Sequence, residues 1–157
     1  MAVTINGSGV VTGLASGNAG VGKILQVVNA TYSTQTSNST NVYADTGLTA
    51  TITPTLATSK ILVVVSLNGC SKQGNTGIST KLLRGATVLI QTGVLDGYTG
   101  SAAQNDFGSV TANYLDSPAT TSATTYKMQF NSWQNIASAT VQDGSATSTI
   151  TLMEVAA

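Results

Sequence analysis

The run KILVVVSLNG at residues 60–69 constrains this chain more than any other stretch, because six of the eight residues from Ile61 to Asn68 are Ile, Leu or Val. It is too short to cross a bilayer, which takes about 20 apolar residues in a helix. Its β-branched side chains are stiff at χ1 and fit a pleated surface better than a helical one. Ser59 bounds it on one side and Asn68-Gly69 on the other. The run is therefore expected to be a buried central strand, and the rest of the chain has to cover it.

At 157 residues the chain has the length of a single domain that can bury a sizeable core without disulfides. Charged residues make up only 8 % and balance to zero. No basic surface is available to neutralise phosphates or to hold anionic lipid, so neither nucleic acid nor membrane is expected as a partner. Low charge signals disorder only when hydrophobicity is low as well; here 41 % of the residues are apolar, which places the chain among folded proteins. Thr, Ser, Asn and Gln supply the polarity. A surface of hydroxyls and amides with little repulsion between copies suits a protein that packs into an assembly. The single cysteine, Cys70, has no internal partner and reads as a small buried filler. No charged segment followed by an apolar core opens the chain as a secretion signal would.

Residues 1–22 carry no charged side chain and are dense in glycine. Val3, Ile5, Val10, Val11 and Leu14 punctuate the segment at irregular spacing. Such a segment cannot bury a face by itself and is expected to be an extended arm that docks on a partner through those five side chains. Residues 17–23, GNAGVGK, match the phosphate-loop pattern up to its last position. There Ile24 stands where a Ser or Thr is needed to hold magnesium, and strand-like ILQVVNATYS follows where the motif needs a helix. A hinge between the arm and a domain at residues 23–157 is the expectation, and no cofactor is implied.

From Lys23 onward the pattern is that of strands. Leu48, Ala50 and Ile52 share one parity and Thr49, Thr51 and Thr53 the other, which makes a half-buried antiparallel strand. Similar segments recur at residues 24–32, 78–83, 87–90, 110–115, 125–130, 137–141 and 149–155. Turn signals separate them at Asn68-Gly69, Arg84-Gly85, Asp96-Gly97, Ser117-Pro118 and Asp143-Gly144. No stretch keeps helical spacing for three turns. The expected fold is all-β, an antiparallel sandwich of jelly-roll type with an extended N-terminal arm. Residues 34–41 and 93–106 read as long polar loops, where binding groups tend to sit.

The chain has no histidine, so Ser-His-Asp and Cys-His nucleophile systems and the common zinc ligand sets are excluded. Asp45, Asp96, Asp106, Asp116, Asp143 and Glu154 are expected mostly at strand ends and turns, where acids cap rather than catalyse. No run of acids has calcium-loop spacing. An enzyme is not expected, and no catalytic, cofactor-binding or metal-binding residue is assigned. Tyr126, Met128 and Phe130 share one parity and are expected in the core. Tyr98, in a long loop, and Trp133, on the opposite parity, are the better candidates among the aromatics for contacts to a glycan or a protein.

Three segments taken together, YADTGLTATITPTLATSKILVVVSLNG at residues 43–69, YLDSPATTSATTYKMQF at 114–130 and STITLMEV at 148–155, resemble a small jelly-roll domain widespread among tailed-phage virion proteins. Its members include tail-fibre and receptor-binding tips and capsid decoration proteins. The resemblance implies a homotrimer with three sandwiches around a threefold axis, similar in outline to the tumour-necrosis-factor-like fold, and brings no catalytic residues with it. A fibre tip usually follows a longer shaft, whereas a short uncharged arm beginning at Met1 precedes this domain. The expectation is therefore a complete small accessory protein of the virion, a cement protein on the capsid exterior that clamps the major capsid protein. The competing expectation is a tail-tip module that grips a host surface glycan or protein.

Overall fold

The computed structural model describes residues 22–100 and 103–157, together with two short strands, β1 (Thr4–Ile5) and β2 (Val11–Thr12). These two pair antiparallel, with Ile5 opposite Val11. Of the expected docking residues, Val3, Val10 and Leu14 lie outside the described residues. The strands that follow are β3 (Ile24–Tyr32), β4 (Thr36–Asn38), β5 (Ala44–Ile52), β6 (Lys60–Lys72), β7 (Ile78–Arg84), β8 (Thr87–Asp96), β9 (Asn105–Asp116), β10 (Thr124–Ser132), β11 (Ala139–Val141) and β12 (Ser148–Val155). The chain is all-β, with two antiparallel sheets that face each other as a sandwich.

One sheet has the order β5-β10-β7-β8. In the other, β6 is flanked by β9 along nearly its whole length on one edge. On its other edge β12 pairs with the first half of β6 and β11 with its end. β3 and β4 then pair with β12 and β11 respectively. β11 and β12 thus act as one interrupted strand around a 3₁₀ turn at Asp143–Ser145, and β3 and β4 as another.

β6 runs past the turn expected at Asn68-Gly69. Gly69 has φ +61°, and the pairing with β9 shifts register there, so the glycine forms a bulge instead of a reversal. A Cβ at this position would lie 2.6 Å from the Asp143 amide nitrogen. The sequence signal for a residue with φ > 0 is correct, but a bulge and a hairpin turn both require it. The loop expected at residues 34–41 contains β4, and that at 93–106 is shortened by the ends of β8 and β9.

Alternation fills the space between the sheets. Leu48, Ala50 and Ile52 of β5 and Tyr126, Met128 and Phe130 of β10 meet Ile61, Val63, Val65 and Leu67 of β6 and Ile150 and Leu152 of β12. Cys70 is buried and unpaired; burial pushes its thiol up to about 12, which makes it inert as a nucleophile at neutral pH.

Two polar ties fasten the end of the sandwich from which β3 departs and at which β12 finishes. Arg84 Nη1 donates to both Asp116 oxygens at 2.9 and 2.7 Å, and the Tyr126 hydroxyl donates to Asp116 Oδ2 at 2.7 Å. This links β7 and β10 in one sheet to β9 in the other. Burial, with the Asp116 carboxylate beside it, holds the Tyr126 hydroxyl well above the ordinary tyrosine range. The second tie is Glu154, which lies near the end of β12 as expected from sequence but is fully buried on the inward parity of that strand. Its carboxylate accepts from Gln26 Nε2 at 2.6 Å, from the Thr55 amide and hydroxyl at 2.8 Å each, and from the Leu56 amide at 3.3 Å. Burial alone would raise its pKa, but these donors outweigh it and hold Glu154 at about 2.

A carboxylate depressed from its ordinary 4.5 stabilises the fold above that pH and loses this contribution as pH falls towards about 2. Glu154→Gln should flatten much of that acid dependence. It should also cost on the order of 2 kcal/mol at neutral pH, because an amide NH₂ would confront donors that need an acceptor. Urea denaturation at pH 7 and pH 3 measures both effects; an unchanged slope with pH would exclude this role for Glu154.

Candidate functional site

The inward parity of the β3-β12-β6-β9 sheet builds the core, so its outward parity is free to meet something else. The registers Val27↔Met153, Met153↔Leu62 and Leu62↔Leu115 align four side chains in one apolar row across four strands. Val27 is 56 % exposed and Leu115 49 % exposed, with Met153 and Leu62 half-buried between them. The next row is Asn29, Thr151, Val64 and Asn113, and the one after it Thr31, Thr149, Ser66 and Thr111. Asn29 Nδ2 donates to Thr151 Oγ1 at 2.9 Å, and Ser66 and Ser109 both donate to Asn68 Oδ1, at 2.8 and 2.7 Å. The face therefore grades from aliphatic, beside exposed Ile24 and Leu25, to hydroxyl and amide. None of these rows contains a charged residue.

This arrangement has no nucleophile, acid–base pair or charge with which to act on a substrate. It can bury apolar area against a matching surface at roughly 25 cal/mol per Å², and it can do so without desolvating an ion. The central run carried a signal for it: aliphatic residues stand on both parities of β6, and only one parity is taken up by the core. Among the described residues no segment lies over Val64, which remains 36 % exposed.

The opposite end of the sandwich holds the loops. Residues 133–138 are locked between two others: the Trp133 amide donates to the Gly77 carbonyl at 3.0 Å and the Gln134 amide to Thr76 Oγ1 at 3.0 Å. The Asn41 amide donates to Asn135 Oδ1 at 3.1 Å, and Asn131 Nδ2 to the Asn41 carbonyl at 2.7 Å. Lys72, fully buried, donates to the carbonyls of Gly74 and Ala103 at 2.9 Å each and to Thr99 Oγ1. Trp133 and Tyr98, expected from sequence as contact residues, both lie at this end and are 42 % and 44 % exposed. Of the arm, Ile5 and Val11 fall in the β1-β2 pair.

A strand and not a helix follows Lys23, so the phosphate-loop pattern lacks its helix N-terminus. The acids do not converge either: among the described residues no three His, Cys, Asp or Glu side chains are grouped to hold a metal. The chain matches no protein-family model and no curated protein.

Met153→Glu places a carboxylate at the centre of the apolar row without touching the core, and is expected to slow sedimentation of the purified chain while leaving its melting temperature within a few degrees. Identical sedimentation coefficients would mean that the face is open to water in the unaltered protein.

Proposed function

We propose that this chain is a phage virion structural protein, a homotrimeric decoration or cement protein on the capsid exterior that binds the assembled lattice of the major capsid protein and stabilises it. The observation that carries this reading is the outer face of the β3-β12-β6-β9 sheet: its three rows from Val27–Leu115 to Thr31–Thr111 carry no charge, Lys60 stands only at its edge, and its central strand is aliphatic on both sides. A surface of that kind costs solubility unless it is closed, and copies of a neutral chain close it without electrostatic repulsion.

The strand order supports the finer reading as a jelly roll. With the interrupted strands each counted once, the chain places its first, eighth, third and sixth long strands in one sheet and its second, seventh, fourth and fifth in the other. That alternation is the one two intertwined Greek keys produce. It agrees with the resemblance of residues 43–69, 114–130 and 148–155 to phage virion jelly rolls.

Binding only the assembled lattice stabilises it by mass action, and three copies joined in one trimer multiply weak contacts through effective concentration. The N-terminal arm, through Val3, Ile5, Val10, Val11 and Leu14, supplies the docking element. A shell protein in this role needs no cofactor and no catalytic group.

Deleting residues 1–22 should leave a folded trimer whose binding to purified capsids drops at least tenfold in a co-sedimentation assay. Electron microscopy of virions labelled for this protein should place the label over the capsid. Undiminished capsid binding by the deletion would refute the docking arm, and label confined to the tail would refute the cement role.

A further inference from the structure

The end of the sandwich that bears Trp133 and Tyr98 combines exposed aromatic rings with uncharged loops. Residues 39–43, 73–77, 97–100 and 133–138 carry no charged side chain. Lys72, the cation beneath them, is sealed from solvent with its ammonium donating to loop carbonyls and a hydroxyl. What these loops do present is aromatic rings and carboxamides, with the aliphatic side chains of Val42 and Ile136 exposed beside them: Trp133, Tyr98, Asn75 and Asn135 are all exposed, and Gln134 is half-buried.

The two rings are held on adjoining backbone. Trp133 is anchored through its amide to Gly77. Gly77 in turn abuts Leu95 so closely that a Cβ would come within 2.8 Å of the Leu95 Cα. The Tyr98 amide donates to the Leu95 carbonyl at 3.1 Å. A continuous chain of contacts therefore runs from one ring-bearing residue to the other, and hydrogen bonds between the loops fix their backbones before any ligand arrives, which lowers the ordering cost of binding.

We propose that this loop-bearing end is a binding site for a neutral oligosaccharide. An exposed aromatic face accepts the apolar C–H face of a pyranose ring. A carboxamide offers a donor and an acceptor together, the pairing that a sugar hydroxyl, itself donor and acceptor, can satisfy on both sides. Sialylated or sulfated glycans would call for Arg or Lys at the surface, and these loops have none. A protein partner would be met by a centre that sets Arg beside Trp and Tyr, and these loops supply no Arg. The site faces away from the end where β3 begins and β12 finishes, so it stays open when that end is attached. It is independent of the apolar sheet face: loss of sugar binding would leave the capsid reading untouched.

The test uses the full chain on a printed array of neutral hexose and N-acetylhexosamine oligosaccharides, with sialylated and sulfated counterparts alongside. Saturable binding is expected on neutral spots. Trp133 is the sole tryptophan, so titration with a positive oligosaccharide should shift its emission. Trp133→Ala and Tyr98→Ala should each weaken binding at least tenfold by calorimetry with unchanged melting temperatures, and Trp133→Phe should recover part of the loss. No neutral spot above background, binding confined to charged glycans, equal affinity in the alanine variants, or capsid binding that depends on these two rings without sugar binding would each overturn the assignment.

Discussion

The structure depends on β6 being paired along both edges. β9 covers one edge, and β12 with β11 the other, so the longest strand of the chain exposes no unpaired ladder. A strand in that position has its backbone satisfied, and the remaining question is what meets its two faces. The inward face is answered by β5, β10 and β7 across the sandwich. The outward face, with Leu62 and Val64, is not answered by any described part of the chain, and this imbalance is what points to association.

The two ends of the sandwich are built on different principles. At the end where the domain is entered and left, ionised groups do the fastening: Asp116 joins the sheets through Arg84 and Tyr126, and Glu154 gathers the loop at Thr55 and Leu56. Such groups are strongly stabilising only while each buried oxygen keeps its donor. At the other end neutral hydrogen bonds between loops do the same work, and the buried Lys72 ammonium is turned inward. Charge thus goes largely to holding the scaffold, while the three rows of the outer sheet face and the loops at the far end are left uncharged. A chain with so few ionisable residues and no histidine has placed several of them where they can only be structural.

Much of the scaffold was legible in the residues. β3 follows its alternation from Ile24 to Tyr32, and the parity of Leu48, Ala50 and Ile52 is the buried parity of β5. Tyr126, Met128 and Phe130 are fully buried, as their shared parity required. What local patterns could not distinguish is where the chain goes after a residue with φ > 0, so Gly69 read as a turn although it is a bulge. The role of Glu154 was misread because an acid one residue from the end of a strand resembles a cap, and its donors at Thr55 and Leu56 lie about a hundred positions away. The apolar row was legible only in part. Consecutive aliphatic residues at 61–65 announced a strand with two apolar faces, but the alignment of Leu62 with Val27, Met153 and Leu115 is a property of register, which no single segment contains. Tyr98 and Trp133 were identified as exposed candidates, whereas their placement at one end depends on the strand order.

The central claim is that the outer face of the β3-β12-β6-β9 sheet is buried between copies of the chain. Hydroxyl-radical footprinting of the purified protein tests it at Met153, with the fully buried Met128 as internal reference. The account predicts that Met153 oxidises nearly as slowly as Met128 at micromolar concentration and becomes reactive on dilution. Oxidation of Met153 at the rate of an open side chain, unchanged with concentration, would contradict it.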